Sequence, residues 1–399
     1  MKNIKKKSYG KKILKNILLV IFSILLAIYM LEIVYGLYNI SSYKHNKWAK
    51  HKRSKYDVYM DFKNSGKDVV VSISPSNFIS KINNENELYP LSGISNKLTI
   101  LCNESGYWKT YKSDRYGFNN PDKEWDKLHF DFVLIGDSFT QGQCVHEKDT
   151  IAGQLRNKNN VLNLGQGGNG PLIEYAILRE YFKNIEAKNV LWLYYESDLQ
   201  DFQLELSNKV LIKYLENLNF TQDLINKQKE IDFIATNTLL QELKNHQRKK
   251  NVLFRFEEFD FKRVLFLKII RYRLSWMFKI NLTNINLINL TEDKPNYLDN
   301  FSKVLVQANN LVTKNNSKLY FVYLSDYPGI YNSTTDKRRL QSYKKVINLV
   351  KKLDIPIIDL YKDLFNDHPD PKSLFPGRRP NHYNEEGYRL VVETILEKI

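Results

Sequence analysis

Cysteine is almost missing from this chain, with Cys102 and Cys144 as its two examples in 399 residues. Their spacing is not that of a metal site, and no Cys or His pair lies near either, so a thiolate zinc centre is excluded. In an oxidising compartment the two could pair, closing a loop of about forty residues; the alternative is two unrelated buried thiols. Acidic residues are missing from the N-terminal end. Residues 1–55 hold thirteen Lys or Arg and one acid, Glu32, which is +12 of the chain's net +16. Residues 56–399 therefore carry only +4, too little to support nucleic-acid binding. No internal repeat occurs. No Gly-Lys-Ser/Thr follows a glycine-rich loop, and the dinucleotide fingerprint is absent, so nucleotide phosphates have no recognisable cradle.

The basic N-terminal end brackets one long apolar run. Ile17 to Tyr38 is interrupted only by Ser23, Glu32 and Gly36, and its length matches the roughly 20 residues needed to cross a bilayer. It is long for a signal-peptide core and no small-x-small cleavage site follows it, so an uncleaved anchor is expected. Tyr29, Tyr35 and Tyr38 suit a membrane interface. Lys11, Lys12 and Lys15 lie closest to the run, which favours a cytoplasmic tail (1–16), an anchor at 17–38 and a globular part on the extracytoplasmic, periplasmic side. The second basic cluster, Lys44 to Lys55, would then rest on anionic headgroups.

Three segments carry chemistry. Asp131-Phe132-Val133-Leu134-Ile135 is a buried parallel strand by pattern, and it runs into Gly136-Asp137-Ser138-Phe139-Thr140. A serine there stands in the crevice at the carboxyl ends of the strands, where α/β proteins bind ligands. The second segment is the short strand 161–164 followed by Gly165-Gln166-Gly167-Gly168-Asn169-Gly170-Pro171. A plain strand-to-helix turn needs one or two glycines, whereas this loop has four, which permits close backbone approach to a ligand. The third is Pro380-Asn381-His382-Tyr383-Asn384. Beyond it Tyr388, Val391, Val392, Ile395, Leu396 and Ile399 repeat at helical spacing.

Together these segments resemble the SGNH hydrolases, the GDSL-type esterase superfamily. The resemblance spans about residues 130–200 and 318–399. It implies a flavodoxin-like three-layer α/β sandwich with a parallel sheet, and it makes Ser138 the nucleophile and His382 the base. It also makes the Ser138 and Gly168 N–H groups oxyanion donors, with no metal or organic cofactor. Two departures stand out. Where the family has Gly-x-Asn-Asp, this chain has Glu196-Ser197-Asp198, so Ser197 takes the place of the third donor. Where the family has Asp three residues before the histidine, this chain has Arg379, which cannot orient an imidazolium. The nearest upstream acids, Asp370 and then Asp367, are expected to supply the carboxylate, against a Ser–His dyad relying on a backbone carbonyl. Glu385 and Glu386 are expected as helix caps.

The rest of the chain arranges itself around this motif set. Residues 39–130 form a basic linker and β-rich lead-in, with strands at Val69–Ile73 and before Cys102. The hydrolase-like domain is 131–399, with strands expected at 131–135, 161–164, 189–195, 318–324 and 355–359. A helix is expected at Leu172–Lys183. Residues 200–298 form a helical insertion, expected as a lid or docking surface. The function implied is an anchored serine esterase acting on an acylated small molecule or a cell-surface glycan ester. The alternatives are an O-acyltransferase of the same fold served by a membrane acyl donor, and a catalytically silent binding or assembly protein.

Overall fold

A computed structural model describes residues 15–34, 53–183, 185–251, 297–325, 327 and 334–399. Most of the basic tail, the end of the apolar run, the linker up to 52 and insertion residues 252–296 lie outside the described residues. The chain divides into two compact units, Met1–Ser54 with Asn245–Lys294, and Lys55–Lys244 with Pro295–Ile399. In the first, helix α1 (Lys15–Val34) is long and apolar enough to cross a membrane. Its 20 residues extend about 30 Å at the α-helical rise. Ile17, Leu18, Phe22 and Leu25 lie on its exposed surface.

The second unit is an α/β sandwich. Its central sheet has five parallel strands, β4 (His129–Gly136), β5 (Val161–Asn163), β6 (Glu186–Tyr194), β7 (Lys318–Tyr323) and β8 (Ile357–Asp359), in the order β5-β4-β6-β7-β8. All five sit within a few residues of their expected positions. The strands look continuously apolar because both faces are covered, and alternate side chains enter different layers. Val133, Ile135, Val190, Trp192, Phe321 and Tyr323 enter one core. Phe132, Leu134, Leu191, Leu193 and Val322 enter the other.

The first core is covered by helices α5 (Pro171–Tyr181), α7 (Leu211–Glu216) and α9 (Tyr297–Lys314), through Ile173, Leu211, Phe301 and Val304 among others. The second is covered by the short α4 (Ile151–Leu155) and the C-terminal α11 (Glu385–Lys398), through Ile151, Leu155, Val391 and Ile395. Helix α10 (Thr334–Lys352) adds Val346 and Val350 to the first core.

Two regions depart from the sequence expectation. The lead-in is part of the main fold. Helix α2 (Lys55–Asn64) leads into a small sheet of β1 (Val69–Val71), β2 (Leu98–Cys102) and β3 (Lys109–Lys112). Strand β2 pairs parallel with β1 and antiparallel with β3. Val58, Val70, Phe78 and Tyr89 join the same core as α5 and α9. The first part of the insertion is not a free lid either. Helices α6 (Asp198–Glu205), α7 and α8 (Gln228–Asn251) bury Phe202, Tyr214, Leu215, Ile231 and Ala235 in that core.

Candidate active site

Ser138 follows β4 directly and opens the four-residue helix α3, Ser138–Gln141. Gly136 makes the turn. It has φ +150°, and a Cβ there would fall 2.2 Å from Thr140 Oγ1 and 2.5 Å from the Leu193 carbonyl, so no larger residue fits. The Asp137 carboxylate accepts the Phe139 N–H at 2.9 Å. Burial raises the Asp137 carboxyl, while hydrogen bonds from the Phe139 and Ser138 N–H groups and the nearby His382 oppose that rise.

His382 reaches Ser138 from the loop before α11. Its Nε2 lies 2.7 Å from Ser138 Oγ. The other ring nitrogen, Nδ1, lies 2.8 Å from Glu104 Oε1, and the His382 backbone N–H donates to Glu104 Oε2 at 3.0 Å. A carboxylate can only accept, so Nδ1 carries the proton and Nε2 presents its lone pair to the serine hydroxyl. That is the tautomer a general base requires. Phe139 packs on the ring, with centroids 4.7 Å apart.

Asp370, expected beside His382, is engaged elsewhere. That residue is exposed and makes a two-pronged pair with Arg378, both contacts at 2.7 Å. Asp367 accepts from Asn366 on the surface. Glu385 and Glu386 do stand in the first turn of α11, but the capping side chain is Asn384, which accepts the Gly387 N–H at 2.9 Å.

Glu104 comes from the end of the β2–β3 hairpin, two residues beyond Cys102. Cys102 and Cys144 are joined by a disulfide with Cα atoms 5.4 Å apart, so the two expected partners are brought together. Cys144 is buried and held at φ +69°. Among the described residues, Glu104, Cys144 and His382 form the one cluster of acid, thiol and imidazole atoms close enough for a metal. The bridge occupies the sulfur, and the other two bond each other, so this is not a metal centre.

The glycine loop lies alongside. Gly168 has φ +73°, with Ser76 Oγ 2.9 Å from where a Cβ would stand. Its N–H makes no hydrogen bond among the described residues. Ser197 instead precedes α6, where its carbonyl accepts from Gln200 and Asp201, and its hydroxyl makes no hydrogen bond among the described residues. The carboxamide of Asn169 is buried, and neither of its polar atoms has a hydrogen-bond partner among the described residues.

Glu205, at the end of α6, clamps this loop. Its carboxylate accepts the N–H groups of Gly170 (2.6 Å), Leu172 (2.9 Å) and Ile173 (3.3 Å). Burial pushes its carboxyl up to about 8 despite those donors. Glu174, behind the loop, is raised well above the usual range by burial and by the Asp137 and Glu205 charges, while its Oε2 accepts the Trp192 indole N–H at 2.6 Å.

The turn 114–120 locks the lead-in to the site. Asp114 accepts from the backbone of Tyr116 and Phe118, from Asn120 Nδ2 and from Trp125 Nε1. Asn119 donates to the Gln141 carbonyl and Asn120 to the Asn163 carbonyl. Asn163 in turn donates to Thr140. The end of α3 is thus held by Asn119 from outside the main sheet and by Asn163 from β5.

No protein-family model matches the chain, and no curated protein matches it. Solved structures with a similar fold include a member of the lipolytic protein G-D-S-L family from Veillonella parvula DSM 2008 (14% identical, 68% of this chain and 97% of that one, TM-score 0.35). A putative lipolytic protein of the G-D-S-L family from Desulfitobacterium hafniense DCB-2 is 12% identical over 68% of this chain and all of its own, with TM-score 0.34. The acetyl xylan esterase AlAXEase is 13% identical over 67% of this chain and 98% of that one, also at 0.34.

Proposed function

We propose that the protein is a membrane-anchored serine ester hydrolase that works through an acyl-enzyme on Ser138. One observation carries this reading: Ser138 Oγ, His382 and Glu104 form a continuous chain of contacts at 2.7 and 2.8 Å, in the order nucleophile, base, acid. His382 Nε2 takes the hydroxyl proton as Oγ attacks the ester carbonyl. Glu104 stabilises the imidazolium and holds its plane. The developing oxyanion is met by the open Gly168 N–H, with the Ser138 N–H turning from Asp137. Protonated His382 then delivers its proton to the leaving alcohol, and a water deprotonated by the same nitrogen clears the acyl group.

The substrate we assign is an ester on the outer side of the membrane, such as an O-acetyl group on a cell-surface glycan. The length and apolarity of α1, the positive charge of residues 1–55 and the presence of a disulfide in the fold all support that location. Labelling with a fluorophosphonate probe and hydrolysis of a short-chain nitrophenyl ester test the chemistry. Both should occur in the wild type and vanish in Ser138→Ala. A protein that takes no label is a silent member of the fold. Label with turnover only in the presence of a sugar acceptor moves the reaction to O-acyl transfer.

A further inference from the structure

Glu104 is two residues from one end of the disulfide, and Ser138 is six residues from the other. The bridge therefore ties the element carrying the acid to the loop that follows the nucleophile helix. Three contacts pin the hairpin end to the site: Cys102 to Cys144, Glu104 to His382, and Lys109 Nζ to Glu385 Oε1 at 3.6 Å. They land just after the nucleophile helix, on the base itself, and on the first turn of the base's helix. Within the hairpin the β2–β3 register shifts between Ile100 and Cys102, a bulge that turns the strand end toward Cys144. Beyond it, Ser105, Gly106 and Tyr107 are exposed, with Gly106 at φ +95°. Among the described residues, Ser105, Gly106 and Tyr107 make no hydrogen bond that would hold Glu104 in place.

We propose that the Cys102–Cys144 bridge is a positioning device for catalysis. It sets the hairpin end so that Glu104 holds the His382 ring, and opening it releases the acid while Ser138 and His382 stay in place. This rests on the serine-ester reading above. Opening the bridge with a dithiol breaks the Sγ–Sγ bond. The two cysteines take up two electrons and two protons, and the dithiol becomes a disulfide. Cys102 is only half-buried and provides the point of attack.

The test uses the full chain in detergent micelles, with the paired change Cys102→Ser/Cys144→Ser made alone and together with Glu104→Ala. Expected is a fall in kcat of at least about thirtyfold with KM nearly unchanged. Glu104→Ala should cost on the order of 10²-fold or more when the bridge is present, but under about threefold when it is not. Wild-type kcat without the bridge overturns the proposal, and so does an equal Glu104→Ala penalty in both backgrounds, because the bridge is then merely structural.

If the paired variant does not fold, the wild type is reduced under native conditions and its thiols are counted by alkylation after the assay. Activity should fall in step with the appearance of two thiols and return on reoxidation; full activity with both thiols free overturns the proposal. Fluorophosphonate labelling of the untreated wild type reports separately on the serine-ester reading. Where that reading fails, the ¹⁵N shift of His382 Nδ1 still decides. Opening the bridge should move it toward its value in Glu104→Ala, and an unmoved shift overturns the positioning role.

Discussion

The large sheet and the small sheet contribute to the site in opposite ways. The large one presents Ser138 at a strand end, inside a local pattern of apolar strand, tight turn and helix start, and His382 in the polar segment just before its last helix. The small one, built from the lead-in, presents Glu104 from a hairpin whose sequence has no such pattern. Its contact with His382 spans 278 residues of chain. Strand-end sites are encoded by their neighbours in sequence, whereas this acid is encoded by how a separate sheet docks and is bridged.

The sharpest way to break that comparison is to remove the large sheet's contribution. Ser138→Ala or His382→Ala should lower kcat by on the order of 10⁴–10⁶, and the double change should be no worse than either single one, because the pair acts as a unit. Steady-state hydrolysis of a nitrophenyl ester measures it. A loss below about tenfold in either variant would sink the catalytic assignment.

The same contrast explains what could be seen beforehand. The meeting of Ser138 and His382 was legible because strand ends and pre-helix polar segments have short-range signatures. The five parallel strands were legible because sheet faces buried on both sides demand continuous apolar runs. The acid was not, since the expected Asp370 is near His382 only in sequence, and Arg378 already claims it. The signal that pointed to Glu104 was Cys102: pairing it with Cys144 places residues 103–106 beside the loop after Ser138. The packing of α6 and α7 into the core was hidden for another reason. Their sequence is charged, and few of its residues, such as Phe202, Leu211 and Tyr214, do the burying.

Removing the small sheet's contribution should come next in size. Glu104→Ala is expected to lower kcat by on the order of 10²–10⁴, as for triads that lose the group orienting their histidine. Glu104→Gln should fall in the same range, because an amide can donate to Nδ1 and favour the wrong tautomer. Single-turnover acylation of Ser138 is the measurement. A kcat within threefold of wild type for both would mean the Ser–His pair works as a dyad.

The docking of the two sheets can be weighed through Asp114, the buried acceptor at the centre of the 114–120 turn. Burial pushes its carboxyl from 3.8 to about 6, against the pull of Asn120, Trp125 and two backbone donors. A carboxyl raised in the folded state binds its proton more tightly there than in the unfolded chain. Its contribution is fully present below pH ~3.8 and is lost as pH rises through about 6. The difference is on the order of 3 kcal/mol. Thermal unfolding of the wild type between pH 4 and 6 should therefore carry a downward slope that Asp114→Asn removes, together with a lower Tm from the unmatched Asn120 and Trp125 donors. An unchanged slope in the variant would assign that pH dependence to other groups.

The smallest effect is expected at the residue that sequence proximity favoured. Asp370 is exposed and engaged by both guanidinium nitrogens of Arg378, whose hydrogen bonds, and then its charge, hold the carboxyl below the usual range. It is therefore held ionised against its partner. Neither of its oxygens approaches the imidazole, whose Nδ1 is already satisfied by Glu104. Asp370→Ala should leave kcat and KM within about twofold of wild type, while Glu104→Ala assayed in the same preparation shows its full loss. Exposed ion pairs of this kind contribute little, so the comparison tests position and not fold. A tenfold fall in kcat for Asp370→Ala, about 1.4 kcal/mol in barrier, with Glu104→Ala near wild type, would return the acid to the loop before His382 and remove the small sheet from the catalytic apparatus.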